Sequence, residues 1–274
     1  MKILIFGSNG MLGNYILSYL NKKNMNVEGI TRNDYDLSTL TEQSLEKLLV
    51  EKNINENFVL INSAGVIPQA SKHHNLTEGD YYKINSIFPI ILSKLANKYN
   101  CKMFHITTDC VFSGKKGNYI ENDCHDASDT YGISKSLGEF CDCTIIRTSI
   151  IGEEIYNKRS LLEWVKSNAN KEINGYCNHF WNGVTCLELS KIIYKIIAQK
   201  LYWTGVRHIF SPDILSKYDL VSIINEIYNL NIHVKKFNTD YIIDKTISTM
   251  YGINNLFFIK TLREQIIEMY NYNL

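Results

Sequence analysis

Short apolar runs and amphipathic stretches alternate along the first half of the chain. Residues 2–6 form an apolar run typical of a buried strand, and leucine and isoleucine then recur at helical spacing up to residue 20. The alternation continues with strands predicted at 26–31, 58–62, 102–107 and 144–146 and helices predicted around 45–49, 84–99 and 131–140. Strands that alternate with helices form a mostly parallel sheet with helices on both faces. The pattern therefore predicts an α/β fold with a doubly wound parallel sheet.

The alternation of predicted strands and helices becomes irregular after about residue 150. Helical patterns are predicted at 160–168, 186–200 and 217–229, and no low-complexity linker separates the two halves. We therefore expect residues 1–150 to form the sheet. Residues 151–274 are expected to form a smaller α/β cap packed closely against it, some segments of which can return to the sheet.

Composition narrows the class of protein. Lysine and arginine number 29 and aspartate and glutamate 28, so the net charge of +1 offers no basic footprint for nucleic acid or an anionic membrane surface. No apolar stretch approaches the ~20 residues that span a bilayer, and the N-terminal apolar run is shorter than the roughly 7–15 residues of a secretory signal. We expect a cytoplasmic protein without a nucleic-acid or membrane partner.

The cysteines and histidines give no sign of disulfides or of a metal site. The seven cysteines include no Cys-x-x-Cys pair. His73 and His74 are the only adjacent histidines, and adjacent residues point in different directions on a helix or a strand. We therefore expect reduced thiols and no bound metal.

A glycine-rich segment directly follows the first predicted strand. Its glycines stand where the strand gives way to a helix, so backbone N–H groups can close on a pyrophosphate at the helix N-terminus. The Gly-x-x-Gly-x-x-Gly spacing differs from the Gly-x-Gly-x-x-Gly of classical dehydrogenases, and an ordinary strand-to-helix turn is the alternative. In this context the segment predicts a Rossmann-type dinucleotide site formed by Gly7, Asn9, Gly10, Met11, Leu12 and Gly13.

The end of the second predicted strand bears on the choice of cofactor. NAD-binding chains usually carry an acid there for the ribose 2′-hydroxyl, whereas this chain has Thr31-Arg32. Arginine suits a 2′-phosphate, so we expect NADPH, with NADH as the alternative and an ordinary surface arginine as the other interpretation of Arg32. We also assign Asp36 and Leu37 to the cofactor site.

A Tyr-x-x-x-Lys sequence places Tyr131 and Lys135 one turn apart on one face of a predicted helix. A nearby ammonium lowers the pKa of a phenol from its reference of ~10 and helps the tyrosine exchange a proton with a substrate oxygen. The spacing alone has little specificity, because it also occurs at 19/23 and 241/245. The pair at 131/135 is distinguished by Thr108, which closes a predicted strand at the carboxyl edge of the sheet and offers a hydroxyl to the same carbonyl.

These segments resemble the extended short-chain dehydrogenase/reductases and, within them, the dTDP-4-dehydrorhamnose reductase group. The resemblance rests on residues 7–13, 106–114, 116–119, 131–139 and 146–149 and covers about the first 150 residues well. It implies that Thr108 orients a substrate carbonyl, that Tyr131 protonates its oxygen while the nicotinamide delivers hydride, and that Lys135 holds the nicotinamide ribose and tunes Tyr131. It also implies cofactor contacts from Ala64 and Gly65, a nucleotide-sugar substrate bound by the cap, and an assembly that is often a homodimer.

Two positions depart from the reductase pattern: Cys110 stands where those reductases commonly have Tyr, and Ile150 replaces an aromatic residue. In the related GDP-fucose synthases and bifunctional epimerase/reductases, a cysteine at this strand end acts with a His or Lys from the segment after the next strand. That segment here contains Lys158. The resemblance implies that the Cys110 thiolate removes a proton beside the ketone and that the Lys158 ammonium returns one on the opposite face. The alternative is that Cys110 is a small buried filler and Lys158 part of a solvated loop.

Substrate contacts are predicted in two places, after the strand that ends at Thr108 and in a loop at 178–185 that is rich in aromatic and amide groups. Core packing is the alternative interpretation of the aromatic residues in this loop. The candidates are Asp109, Cys110, Phe112, Asn178, Trp181 and Asn182.

These residues together predict NADPH-dependent reduction of the 4-keto group of a nucleotide-activated 6-deoxyhexos-4-ulose. The sugar would be dTDP- or UDP-linked and of the rhamnose type, and the reduction would be coupled to epimerisation at C3 or at C3 and C5. A simple reductase with an inert Cys110 is one alternative. A non-catalytic cofactor-binding regulatory subunit is another, since the regulatory subunit of methionine adenosyltransferase resembles the same family. A pure dehydratase fits less well, because such members usually carry Asp-Glu where this chain has Asp109-Cys110.

Overall fold

A six-stranded parallel sheet lies at the centre of the computed structural model, which describes residues 1–68, 76–156 and 158–274. In chain order, the strands are β1 (Lys2–Phe6), β2 (Val27–Ile30), β3 (Phe58–Asn62), β4 (Lys102–Thr108), β5 (Thr144–Thr148), β6 (Ile150–Ile151), β7 (Glu172–Tyr176), β8 (His179–Trp181), β9 (Val184–Thr185), β10 (Gly205–His208), β11 (Leu215–Ser216), β12 (His233–Phe237) and β13 (Ile243–Asp244). The central sheet has the order β10-β5-β4-β3-β1-β2, and all its neighbouring strands are parallel. The predicted doubly wound parallel sheet is confirmed.

Helices cover both faces of this sheet. They are α1 (Met11–Lys22), α2 (Glu42–Glu51), α3 (Glu78–Tyr82), α4 (Phe88–Lys98), α5 (Thr130–Leu137), α6 (Leu161–Ser167), α7 (Cys186–Gln199), α8 (Lys217–Ile227), α9 (Ile253–Phe257) and α10 (Leu262–Tyr270). Alternate strand residues point to opposite faces, so Ile3 and Ile5 join one core with α1 and α7, while Leu4 and Phe6 join another with α2 and α4. Burial on both faces explains why β1 and β3 contain uninterrupted apolar runs, at residues 3–6 and 58–61.

Polar caps explain where several helices begin and why one prediction was too short. The side chain of Thr77 accepts a hydrogen bond from the Asp80 backbone N–H, and α3 therefore begins at Glu78 in a polar stretch that has no apolar periodicity. A π-helical turn at Lys83–Ile87 joins α3 to α4, so the predicted helix at 84–99 is the later part of a longer helical run. The predicted helices at 160–168, 186–200 and 217–229 are confirmed as α6, α7 and α8.

The second half of the chain forms small sheets and also completes the central one. Strands β11, β8 and β13 form a three-stranded sheet, β12 pairs with β7, and β6 pairs with β9. The edge strand β10 returns to the central sheet, where it lies beside β5. In the described ranges, none of the helices is long and apolar enough to cross a membrane.

The order of the strands locates the cleft. The chain leaves β1 towards β2 on one side and reaches β3 on the other. In open α/β sheets, ligands bind at the carboxyl ends of the strands where the order reverses in this way. The glycine turn after β1 and residues 63–66 after β3 lie at this point.

Candidate active site

In the glycine turn after β1, the backbone packs closely against itself and against the segment after β3. Gly7 has φ +77°, and a Cβ there would lie 2.7 Å from the Cα of Ala64. A Cβ on Gly13 would lie 2.2 Å from the carbonyl oxygen of Gly7. Gly10 caps α1 without a side-chain hydrogen bond, so its first N–H groups meet no capping side chain. The turn is therefore a cradle that an anion such as a phosphate fits.

An adjoining cavity of about 240 Å³ lies between the ends of β1, β2 and β3. Its wall includes Arg32, Asp36 and Leu37 beside Ala64 and Gly65. The guanidinium Nε of Arg32 lies 3.4 Å from a carboxylate oxygen of Asp36, and the Arg32 side chain is more than half exposed. The cavity thus has an apolar wall and a solvent-accessible cation at its edge, which suits an adenosine bearing a 2′-phosphate.

A second cavity, of about 490 Å³, continues from the first turn of α1 to the carboxyl end of β4. This volume is in the usual range for small-molecule sites, roughly 300–1,000 Å³. The structure brings Thr108, Cys110, Tyr131 and Lys135 together in its wall with the Gly10–Leu12 backbone. We call it the catalytic cleft.

Thr108 links the end of β4 to the start of α5. Its hydroxyl donates to a carboxylate oxygen of Asp109 at 3.0 Å and accepts from the Cys110 backbone N–H at 3.1 Å, and a side-chain hydrogen bond joins it to Tyr131. Burial, reinforced by the neighbouring Cys110, raises the pKa of Tyr131 above its ordinary value. This direction is opposite to the one expected from a neighbouring lysine, because the desolvation of the phenol outweighs other effects. Tyr131 therefore keeps its proton in the free protein.

Lys135 is almost fully buried one turn further along α5. Its Nζ donates to the Ile106 carbonyl oxygen at 3.0 Å, and burial lowers the pKa of Lys135 to about 8. The ammonium is held beneath the catalytic cleft, where a Cβ added to Gly65 would lie 3.8 Å from Nζ.

Asn85 is a buried site residue that sequence reasoning missed. It lies in the π-helical turn, and its amide pairs with both backbone groups of Val66 and donates to the Ser134 hydroxyl at 3.0 Å. It thereby connects the loop after β3 to the helix that carries Tyr131. The widened helical turn leaves no signal in the apolar periodicity, so only the structure reveals this link.

Two lysines that were not predicted, Lys217 and Lys245, interact electrostatically with Asp109 and Cys110. Burial, reinforced by the charge of Asp109, raises the pKa of Cys110 to about 11. Burial also raises the pKa of Asp109, against the opposing charges of Lys245 and Lys217. Lys217 follows β11 and its Nζ lies 5.0 Å from the ring centroid of Trp181, while Lys245 follows β13. The small sheet of the second half thus delivers two cations to the loop after β4.

The structure gives no support to Lys158 as the partner of Cys110. Lys158 is exposed, and the residues that line the catalytic cleft include its neighbours Arg159 and Ser160 but not Lys158. Of the two adjacent cations in this segment, Arg159 lines the cleft and Lys158 does not. A catalytic role for Lys158 stays a prediction.

Other residues predicted to contact the substrate are engaged with protein groups. Both ends of the Asn182 amide pair with the Ile247 backbone, at 2.8 and 3.0 Å, and the Asn178 amide is engaged with residues 239–241. Trp181 is buried in the main core, and Phe112 stacks on Tyr119 with ring centroids 4.2 Å apart. Protein groups thus already hold each of these side chains, and their role in substrate binding stays a prediction.

The His73-His74 pair lies outside the residues that the structure describes. Within the described ranges, no group of three or more His, Cys, Asp or Glu side chains could hold a metal ion.

The sequence is similar to a family model and to curated proteins. The sequence model of the family described as RmlD substrate binding domain matches residues 1–241. A spore coat polysaccharide biosynthesis protein, SpsK, from Bacillus subtilis (strain 168) is 24% identical over 267 residues, which are 92% of this chain and 88% of that protein. A dTDP-4-dehydrorhamnose reductase from Aggregatibacter actinomycetemcomitans is 26% identical over 236 residues, 80% of this chain and 76% of the relative.

Solved structures show the same fold. A dTDP-4-dehydrorhamnose reductase from Clostridium acetobutylicum ATCC 824 superposes with a TM-score of 0.81 at 24% identity over 99% of both chains. A dTDP-4-dehydrorhamnose reductase from Bacillus anthracis str. Ames, solved in complex with NADP, gives a TM-score of 0.81 at 20% identity over 98% of both chains. The family model covers most of the chain, and the glycine turn and the catalytic cleft lie within the matched residues. The chain therefore belongs to the RmlD substrate binding domain family.

Proposed function

We propose that this protein is an NADPH-dependent oxidoreductase that reduces the 4-keto group of a nucleotide-activated 6-deoxyhexos-4-ulose, dTDP- or UDP-linked and of the rhamnose type. Membership of the family supports this substrate class, as does a curated relative named dTDP-4-dehydrorhamnose reductase. The NADP complex of a structural neighbour supports the cofactor. Location in the cytoplasm and assembly as a homodimer stay predictions.

The observation that carries the proposal is that Thr108, Tyr131 and Lys135 share one cleft with the first turn of α1. The glycine turn, Ala64, Gly65 and Arg32 would hold the cofactor, and Lys135 would hold its ribose near the reacting centre. When bound, NADPH supplies hydride to the carbonyl carbon. Thr108 would orient the carbonyl oxygen, and Tyr131 would give its phenolic proton to that oxygen. The raised pKa of Tyr131 suits this acid role, because the phenol is protonated before the reaction begins.

Tyr131→Phe tests this role. Removing the acid is expected to lower kcat/KM for NADPH oxidation with dTDP-4-dehydro-6-deoxy sugars by roughly 10²–10⁴-fold. Tyr19→Phe is the matched control, because Tyr19 also begins a Tyr-x-x-x-Lys sequence but lies outside the cleft, on α1. Undiminished turnover in Tyr131→Phe would refute the proposal. Binding of NADPH without turnover of any sugar by the unmodified protein would favour the regulatory-subunit alternative.

We further propose that Cys110 exchanges a proton at the carbon beside the ketone, so that epimerisation accompanies reduction. Its place in the catalytic cleft next to Thr108 supports this step. Without cofactor, solvent deuterium should enter the substrate beside the ketone. Because the pKa of Cys110 is raised to about 11, exchange that uses its thiolate should accelerate about tenfold per pH unit between pH 7 and 10.

Cys110→Ser should abolish this exchange, whereas Cys124→Ser, which changes an exposed thiol, should leave it intact. Equal exchange in the two variants would leave a simple reductase with an inert Cys110.

A further inference from the structure

Arg159 lies in the wall of the catalytic cleft, in a part of the wall that comes from residues 148–161. Its backbone N–H donates to the Glu154 carboxylate, and the adjacent Ser160 hydroxyl donates to the Gly152 carbonyl oxygen at 3.1 Å while capping α6. These bonds fix the backbone from which the Arg159 side chain projects.

In the described part of the chain, the guanidinium of Arg159 makes no hydrogen bond or ion pair, although its side chain is half-buried. The guanidinium of Arg147, by comparison, pairs with Glu139 and that of Arg263 with Glu226. A guanidinium carries five N–H donors in a rigid fork that matches phosphate oxygens. An unpaired guanidinium in a cleft of ligand size is therefore suited to bind an anion.

The same cleft contains a second group that suits an anion, the N-terminus of α1. It contains the Gly10–Leu12 backbone, where the first N–H groups of α1 have no side-chain cap. A helix N-terminus attracts negative charge, and an arginine in the same cleft provides further donors. Two such donor groups suit a diphosphate better than a single carboxylate. The Glu154 carboxylate, which also lines the cleft, accepts from the backbone N–H groups of Arg159 and Ser160.

We propose that Arg159 binds the diphosphate of a nucleotide in the catalytic cleft. The proposal rests on the proposed function, since both the cofactor and a nucleotide-sugar substrate carry a diphosphate. It assigns to a residue of the second half a ligand contact that the motifs of the first half do not supply.

Titration calorimetry with three ligands tests the assignment. ADP-ribose carries the diphosphate of the cofactor, dTDP carries that of a nucleotide sugar, and adenosine 2′-phosphate carries none. Arg159→Gln should weaken binding of ADP-ribose or dTDP by about tenfold or more and leave adenosine 2′-phosphate within twofold. Arg159→Lys, which keeps the charge but not the fork, should recover part of the loss. Arg263→Gln is the control for loss of an exposed arginine charge.

The ligand that loses affinity identifies the source of the diphosphate. Unchanged affinity of Arg159→Gln for both diphosphates would overturn the proposal, as would equal losses for all three ligands or equal losses in Arg263→Gln. A thermal unfolding curve for each variant separates a local loss from misfolding, and Arg159→Lys keeps the test open if Arg159→Gln does not fold. Failure of the unmodified protein to bind ADP-ribose and NADPH at all would overturn the proposed function instead.

Discussion

Replacing Lys135 by methionine is expected to stabilise the fold near neutral pH, although it removes a residue assigned to catalysis. Lys135 is 6% exposed, and burial lowers its pKa from 10.5 to about 8. A shift of this size corresponds to about 3 kcal/mol of destabilisation while the lysine is protonated. Methionine fills a similar volume without charge. It loses the hydrogen bond to the Ile106 carbonyl, which reduces the gain in stability by about 1 kcal/mol. The net gain expected at pH 7 is about 2 kcal/mol.

The gain should depend on pH in a defined direction. Below pH 8 both the folded and the unfolded protein hold the Lys135 proton, so the full cost of burying the charge is present. Between pH 8 and 10.5 the folded protein loses this proton while the unfolded chain retains it. The unmodified protein therefore becomes more stable relative to Lys135→Met as the pH rises, and the advantage of the variant should vanish by about pH 10.

Urea unfolding under reducing conditions, followed by tryptophan fluorescence at pH 7 and pH 10, measures this difference directly. Lys47→Met is the matched control, because the Lys47 side chain is 79% exposed, and its stability difference from the unmodified protein should not change with pH. A pH-independent difference for Lys135→Met would refute the reasoning. So would a loss of stability at pH 7, since the hydrogen bond to Ile106 would then outweigh the burial of the charge.

Two further predictions concern the cofactor site. Gly13→Ala should lower the free energy of unfolding by about 1–3 kcal/mol and weaken NADPH binding at least tenfold, because the new Cβ would lie 2.2 Å from the Gly7 carbonyl oxygen. Gly252→Ala is the neutral control, because a Cβ there would have no atom within 4 Å. Urea unfolding and fluorescence titration with NADPH measure both variants. Arg32→Gln should weaken NADPH by about tenfold and leave NADH unchanged, since only NADPH carries a 2′-phosphate for the guanidinium; equal losses for the two cofactors would contradict this role.

The central sheet could be predicted from sequence because its strands are buried on both faces. Runs such as residues 58–61 are apolar without interruption, and helical periodicity between them leaves few alternatives. The small sheets of the second half escaped prediction, since strands such as β6 and β11 have two residues each. Strands of this length carry no periodicity and are defined only by the partner they meet.

In the candidate site, too, local sequence patterns reveal some residues and not others. Tyr131 and Lys135 are found by local spacing, and the strand end places Thr108 beside them. Lys217 and Lys245 reach Cys110 only through contacts between segments far apart in sequence, which no local pattern encodes. Spacing also predicted the wrong direction for the pKa of Tyr131, because it reveals a neighbouring charge but not the burial that outweighs it.

The return of β10 to the central sheet has a consequence for synthesis of the chain. Until residues 205–208 leave the ribosome, β5 is an unprotected edge whose backbone N–H and C=O groups can pair with another molecule. All five residues of β5, among them the apolar Ile145 and Ile146, are buried in the finished fold. A nascent chain that ends near residue 150 therefore exposes a surface prone to aggregation, and expressing the first 150 residues alone should give insoluble protein even though they contain the glycine turn and the residues assigned to catalysis.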